Sequence, residues 1–299
     1  MLGMLAKAAI YRPPESVKSA PTLPQQIESR QHEILPAHCE NYHRLVQWPL
    51  SGGDRIHPNY VQVLTLPMQL NMMTKFPFPF KALGLVHVAN KINVLSLPSK
   101  AATLDLNTYF GDHYSHPKGV VFELHSEASQ NGVVAVKATS YYMARTKKTA
   151  SASLMAFEDK MLIPNVSVQQ AKNSLVDLGE LKFEENSGRQ YAKVSGDYNP
   201  IHLWPATSKL FGFDKAIAHG MYSHALCISK MQAAQHCDFS QNRSIKAVFK
   251  RPISLPNCAK LSLNHDIAQC SMNFSLQGKG SVDTAEKSRP HIIGYVAAI

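Results

Sequence analysis

Cysteine is scarce in this 299-residue chain. Cys39, Cys227, Cys237, Cys258 and Cys270 are odd in number and include no C-x-x-C pair. That excludes a disulfide framework and a zinc knuckle, and points to reduced thiols in a cytoplasmic setting. No run approaches the roughly 18 apolar residues needed for a membrane span. Residues 1–10 are mildly apolar but are interrupted by Lys7 and followed by Pro13 and Pro14, which reads as a short helix and not an export signal. Charged side chains are few, 17% against 44% hydrophobic, so a disordered chain is excluded. Basic residues outnumber acidic ones, 31 to 21, for a net charge of +10. Yet no basic stripe is interleaved with aromatics, so the charge suits phosphates or an acidic protein, and nucleic acid is not expected. The one dense cluster, Arg145, Lys147 and Lys148, reads as solvated linker.

Residues 11–58 are rich in Pro and polar side chains, with one helical patch near His38 to Trp48, and residues 1–58 together read as an N-terminal extension. Val63, Leu66, Leu70 and Met73 then recur at helical spacing despite Pro67, which would kink the helix. Phe76-Pro-Phe-Pro-Phe80 follows, then a strand-like stretch from Leu83 to Val94. Val120, Phe122 and Leu124 alternate with polar partners at the period of a strand, and Asn131-Gly132 supplies a tight hairpin turn into a second strand from Val133 to Ala144. The second half repeats the order: a helical run from Ile217 to Cys237, then strands at Ser244–Ile253, Lys260–Ile267, Ser271–Leu276 and His291–Ile299. A short echo, Lys91 to Pro98 against Lys250 to Pro256, follows each helix. One helix laid on an antiparallel sheet, twice over, predicts a duplicated two-layer α+β fold.

The stretch Tyr191-Ala-Lys-Val-Ser-Gly-Asp197-Tyr-Asn199-Pro-Ile-His202 carries the chemistry. Gly196, Asn199 and Pro200 form turns, and a bend between Asp197 and His202 brings a carboxylate and an imidazole toward one small volume. The same letters also make ordinary turn and helix-cap chemistry. Two features favour a site. Ala218-His-Gly220 stands where a helix begins, so the N–H groups of its first turn are unpaired, and the helix that follows is apolar enough to be central. An acid/base pair beside such a helix end can hold a water molecule and stabilise the enolate oxygen of a thioester, at about 3–4 kcal/mol per well-placed donor.

Val194-Ser-Gly-Asp-Tyr-Asn-Pro-Ile-His202, Leu210-Phe-Gly-Phe213 and Ala216-Ile-Ala-His-Gly-Met221 together resemble the signature of the MaoC-like dehydratases, also called (R)-specific enoyl-CoA hydratases. The resemblance implies a hotdog fold, a long helix wrapped by an antiparallel sheet, acting on 2-enoyl or 3-hydroxyacyl thioesters with neither metal nor organic cofactor. A chain of this length with one signature is similar to double-hotdog members whose N-terminal copy has lost its catalytic residues. That implies an extension over 1–58, a degenerate hotdog over 59–145, a linker over 146–174 and a catalytic hotdog over 175–299. Carried over by position, the catalytic residues are Asp197, His202 and the N–H of Gly220. Asn199 shapes the loop, and His219 and Ser223 stand beside the substrate, with the His219 ring a structural hydrogen bonder. Trp204 departs from the family pattern and bears on the pocket mouth. Gly53-Asp-Arg-Ile-His57-Pro58 superficially resembles the motif but lacks the helix start, and reads as a turn.

Elsewhere, the spacing of His219 and His224 does not suit a metal pair. Cys227 and Cys237 read as small core residues. Phe76 to Phe80 offers either an apolar lip for an acyl chain or a stiff connector, and Lys246, Lys250 and Arg251 offer contacts for coenzyme A phosphates. The expected activity is a hydro-lyase interconverting (R)-3-hydroxyacyl and trans-2-enoyl thioesters of coenzyme A, with Asp197 as the base and His202 as the acid. The rivals are a dehydratase of acyl carrier protein (ACP) substrates, a thioesterase, and a non-catalytic acyl-thioester-binding module. With both halves in one chain, a monomer or a homodimer is expected.

Overall fold

In the computed structural model, which describes residues 7–8, 10–13, 21–49, 53–146, 154–163, 175–266, 270–278 and 290–299, all strand pairs are antiparallel. The first half runs β1 (Ile27–Glu33), α1 (Pro36–Leu45), α2 (Tyr60–Met73), β2 (Val86–Ser96), β3 (Thr103–His116), β4 (Gly119–Gln130) and β5 (Val133–Arg145). After the short helix α3 (Phe157–Lys160), the second half runs β6 (Leu175–Phe183), α4 (Ser187–Ser195), α5 (Pro205–Lys209), α6 (Gly220–Ala233), β7 (Gln241–Phe249), β8 (Asn257–Asp266), β9 (Ser271–Gly278) and β10 (Pro290–Ala298).

The ten strands form one sheet in the order β1-β3-β4-β5-β2-β7-β10-β9-β8-β6. Each half is a strand, one short helix (two in the second half), a long helix and four strands, and the second half traverses the sheet in reverse. The strand after each long helix therefore lies at the centre, where β2 pairs with β7 through Ala89↔Val248 and Ile92↔Ile245. This is a double hotdog, α+β in class, with two long helices each wrapped by its own five strands.

Helices α2 and α6 are buried because they are apolar on nearly all sides, which a surface helix cannot be. Pro67 is accommodated inside α2. One core joins the halves, including Leu64 and Met68 of α2, Ile228 and Met231 of α6, and Ile92 and Ile245 of the seam. Each such side chain contributes about 1.5–3 kcal/mol by leaving water. Asn131 (φ 54°) and Gly132 (φ 76°) make the expected hairpin turn between β4 and β5.

The stretch 1–58 does more than wrap a core. Ile27–Glu33 is the edge strand β1, paired with β3 from Ile27↔Tyr109 to Glu33↔Thr103, and α1 buries Cys39 and Tyr42. An edge strand with mostly exposed side chains carries little alternation to read. Strand β3 also escaped notice, its polar face interrupting the apolar one. The helix expected from Ile217 starts at Gly220, because Ile217 and Ala218 are held in extended backbone: Ala218 N–H donates to the Ile253 carbonyl at 2.8 Å. Residues 1–6 and 9 of the N-terminal helix, Lys147 and Lys148, and most of the linker over 146–174 lie outside the described residues. No helix among the described residues is long and apolar enough to cross a membrane.

Candidate active site

Helix α4 ends because Gly196 adopts the left-handed conformation (φ 76°), the geometry glycine adopts without cost. Its N–H closes on the Ala192 carbonyl, and the next N–H, of Asp197, donates to Ser195 Oγ at 3.1 Å. The Asp197 carboxylate accepts from the Asn199 N–H at 3.2 Å, and the Asn199 side chain accepts from Ile201 N–H at 3.4 Å. These local bonds lead into a single 3₁₀ turn, Pro200–His202, which delivers the imidazole. Each letter of the motif thus has a conformational task, and the five-residue spacing of Asp197 and His202 follows from it.

The two side chains converge with a third. Asp197, His202 and His219 each bring one carboxylate oxygen or ring nitrogen to within 4.8 Å of the others. His202 and His219 rings lie 3.7 Å apart, centroid to centroid. His219 Nε2 bonds the Asp197 main-chain carbonyl at 2.9 Å and lies 3.8 Å from its carboxylate. His202 Nδ1 bonds the Ile217 carbonyl at 2.8 Å. A carbonyl can only accept, so Nδ1 and not Nε2 carries the His202 proton, and Nε2 presents a lone pair. The trio also has metal-donor spacing, but one nitrogen of each ring is committed to a main-chain carbonyl.

Burial, followed by the neighbouring His219, holds the His202 pKa down at about 3, against the opposing pull of Asp197 and the Ile217 carbonyl. His219 is lowered by burial as well. Burial alone would raise the Asp197 carboxyl, but His219, His202, the Asn199 N–H and His87 outweigh it and hold it low. Near neutral pH the site holds an anionic carboxylate beside neutral imidazoles.

Helix α6 begins at Gly220, with His219 as its N-cap residue, so the first N–H groups have no partner within the helix. A Cβ on Gly220 would lie 3.2 Å from the Phe249 ring, so the absent side chain lets that ring rest against the helix start. Asp197, Asn199, His202, His219, Gly220 and Ser223 all line one cavity of about 820 Å³. The first half supplies much of the remaining wall, including Gln62, Leu66, Leu70, Met73, Phe80 and Tyr142. Gln62 and Tyr142 belong to a buried network: Gln62 Nε2 donates to Gln69 at 3.0 Å, Tyr142 OH donates to Gln69 at 3.0 Å, and Ser140 Oγ donates to Gln62 at 2.9 Å. Sequence spacing did not reveal these polar residues, because the network joins helix α2 to strand β5, some 70 to 80 residues away in the chain.

Other expectations resolve individually. The Ser223 hydroxyl donates to the His219 carbonyl at 3.2 Å, an intrahelical bond. Phe80 reaches the cavity, whereas Phe78 is core and Phe76 is exposed. Lys250 and Arg251 line the cavity but Lys246 does not. Trp204 leaves the mouth clear: it is 52% exposed and packs under the Arg189 guanidinium at 3.9 Å. His224 turns to Asn59 at 3.3 Å and stacks on Phe274, away from His219. Cys227 is buried, and burial raises its thiol far above the ordinary range.

The first half shows how the site is absent there. Helix α1 ends at Leu45 and is capped by Val46, and the left-handed residue that follows, Gln47 (φ 57°), leads into Trp48 and not into a carboxylate. That indole meets the His57 ring edge-on at 4.7 Å, and His57 spends its nitrogens on the Ala225 carbonyl and the Asn59 N–H. Residues Gly53 to Pro58 are therefore a turn leading into core.

Residues 167–273 match the family model described as the MaoC like domain. The chain is 26% identical over 212 residues to 3-hydroxyacyl-thioester dehydratase X of Mycobacterium tuberculosis, covering 71% of each sequence. The crystal structure of that protein, HtdX, superposes with a TM-score of 0.72 at 22% identity, over 92% of this chain and all of that one. A MaoC-like dehydratase from Phytophthora capsici matches at TM-score 0.74 and 18% identity, over 93% and 96% of the two chains. A double-hotdog protein of M. tuberculosis matches at TM-score 0.57 and 8% identity, over the same shares.

Proposed function

Since residues 167–273 belong to the MaoC-like domain family, we propose that this protein is a hydro-lyase interconverting (R)-3-hydroxyacyl and trans-2-enoyl thioesters of coenzyme A. The observation that carries this reading is the meeting of Asp197 and His202 in one cavity beside the start of α6. In hydration, the Gly220 N–H donates a hydrogen bond to the thioester oxygen and draws electron density from C3. Asp197 orients a water molecule, and the His202 Nε2 lone pair takes one of its protons as the oxygen bonds to C3. The negative charge passes through C2 to the thioester oxygen, where the helix end stabilises it. The imidazolium so formed, beside the Asp197 anion, returns a proton to C2, and the site is restored. Dehydration reverses each step.

This division makes His202 the first proton acceptor, whereas the motif alone suggested Asp197 as base and His202 as acid. The bond from His202 Nδ1 to Ile217 supports the change. Coenzyme A is favoured as carrier because Lys118, Lys250 and Arg251 stand on the cavity wall, where phosphates can meet them. An ACP dehydratase would prefer the protein carrier when both thioesters compete. The test of the reaction is crotonyl-CoA hydration by Asp197→Asn and His202→Gln proteins. Each is expected to lose at least about 100-fold in kcat with its thermal midpoint retained; undiminished turnover in either would overturn the assignment.

A further inference from the structure

A regular strand sends alternate residues to opposite faces. In β2, Ile92 and Val94 face the central core, while Ala89 packs with Val121, Tyr141 and Val248 on the other side of the sheet. Uninterrupted, the alternation would put His87 with Ala89, away from the long helices. The ladder to β5 slips here, pairing His87 with Tyr142 but Ala89 with Tyr141. The extra residue, Val88, joins Val86 in the outer cluster, and His87 is turned over onto the cavity wall.

There the His87 ring stacks on Tyr142, centroids 4.7 Å apart and 28° between planes, and meets Phe249 edge-on at 5.3 Å. Phe249 is the ring that rests against Gly220. His87 Nε2 is sealed from solvent and has no hydrogen-bond partner among the described residues. An unpaired buried nitrogen costs free energy, and a phenyl ring would stack on Tyr142 equally well. The imidazole also hydrogen-bonds the Ala89 main chain, which leaves Nε2 as the nitrogen that packing does not explain. Burial keeps it neutral, with its pKa down at about 4, so it acts as a hydrogen-bonding group and not as a cation. A half-turn about Cβ–Cγ gives up the bond to the Ala89 main chain and exchanges the two edges of the ring without disturbing the stacked plane.

Resting on the hydro-lyase reading, we propose that His87 is a positioning residue lent to the site by the non-catalytic half, its imidazole hydrogen-bonding the oxygen that joins C3 in hydration and leaves it in dehydration. The contact orients that oxygen for proton exchange with His202 and leaves the thioester grip at Gly220 untouched. The bulge at Val88 exists to aim it.

The test compares wild type, His87→Phe and His87→Gln in crotonyl-CoA hydration, with thermal midpoints measured on the same samples. His87→Phe is expected to lower kcat roughly 10- to 100-fold with KM within about threefold, and to leave the midpoint close to that of wild type, because the bond to the Ala89 main chain is lost together with the unpaired nitrogen. His87→Gln, whose amide has similar reach, is expected to recover part of the loss. A kcat for His87→Phe within about twofold of wild type, no recovery with Gln, or a fall in midpoint matching the fall in kcat would each overturn the role. An inert wild type would overturn the hydro-lyase reading together with it, whereas an active wild type indifferent to His87→Phe would overturn this inference alone.

Discussion

Gly188, in the first turn of α4, stands so close to the main chain of His202 that a Cβ added to it would overlap the His202 carbonyl oxygen. The helix that ends just before Asp197 is thus also the surface against which His202 is set, so one element fixes both partners. Gly188→Ala must push the 3₁₀ turn away from the helix. It is expected to cost about 1–3 kcal/mol of stability and to lower kcat, since a shift of an ångström in a reacting group is itself costly. Urea unfolding and crotonyl-CoA turnover on the same protein check both; full activity would mean that the turn moves without moving His202.

His219 is expected to act as a latch. A His219→Phe protein keeps a ring against His202 but loses the bond from Nε2 to the Asp197 carbonyl. The loop then loses about 1 kcal/mol of restraint, and kcat should drop by roughly tenfold, well short of the loss in Asp197→Asn. Equal losses in the two variants would mean that His219 takes part in the proton transfer.

Acid should unfold this protein early. Burial first of all holds His202 and His224 down at about 3, and His57 well below its ordinary value. The unfolded chain titrates these imidazoles near 6.5, so between that pH and about 3 it binds protons the folded state refuses. Stability is full above pH 6.5 and is lost as pH falls, by about 1.4 kcal/mol per histidine per unit. His43 and His87, held down at about 4, add to them; with five such groups and a typical stability of about 5–15 kcal/mol, the midpoint of acid unfolding is expected near pH 5. The lowered carboxyl of Asp197 works in the same direction, but only below its ordinary value, after unfolding is complete. Circular dichroism during acid titration tests this; a fold intact at pH 4 would contradict it.

Trp48 should matter for the fold and not for the chemistry. It is 9% exposed and packs on His57 in the core, so Trp48→Ala is expected to cost about 3–5 kcal/mol. At a temperature where the variant remains folded, kcat should stay within about threefold of wild type. A selective loss of turnover would show that the first half's filled site still communicates with the second.

Much of the site was legible because the motif is local. Gly196, Asp197, Asn199 and His202 interact within a few residues of chain, and their turn geometry is written in their own side chains. The helix start at Gly220 was legible for the same reason. The strands β1, β3 and β6 were not seen, because an edge or half-polar strand acquires its identity from the neighbour that pairs with it.

The sequence by itself determined that a carboxylate and an imidazole share one loop, that an apolar helix begins shortly after, and that a helix-and-sheet unit occurs twice. Tertiary structure decided the rest: that the two sheets fuse through β2 and β7, that Trp48 packs on His57 in the core of the first half, and that the His202 proton sits on Nδ1, facing Ile217. It also turned His87 toward the cavity. The physical reason is range. Turn and cap chemistry is fixed by bonds between residues close in the chain, whereas a bulge, a tautomer or a cavity wall depends on which atoms distant segments bring into contact.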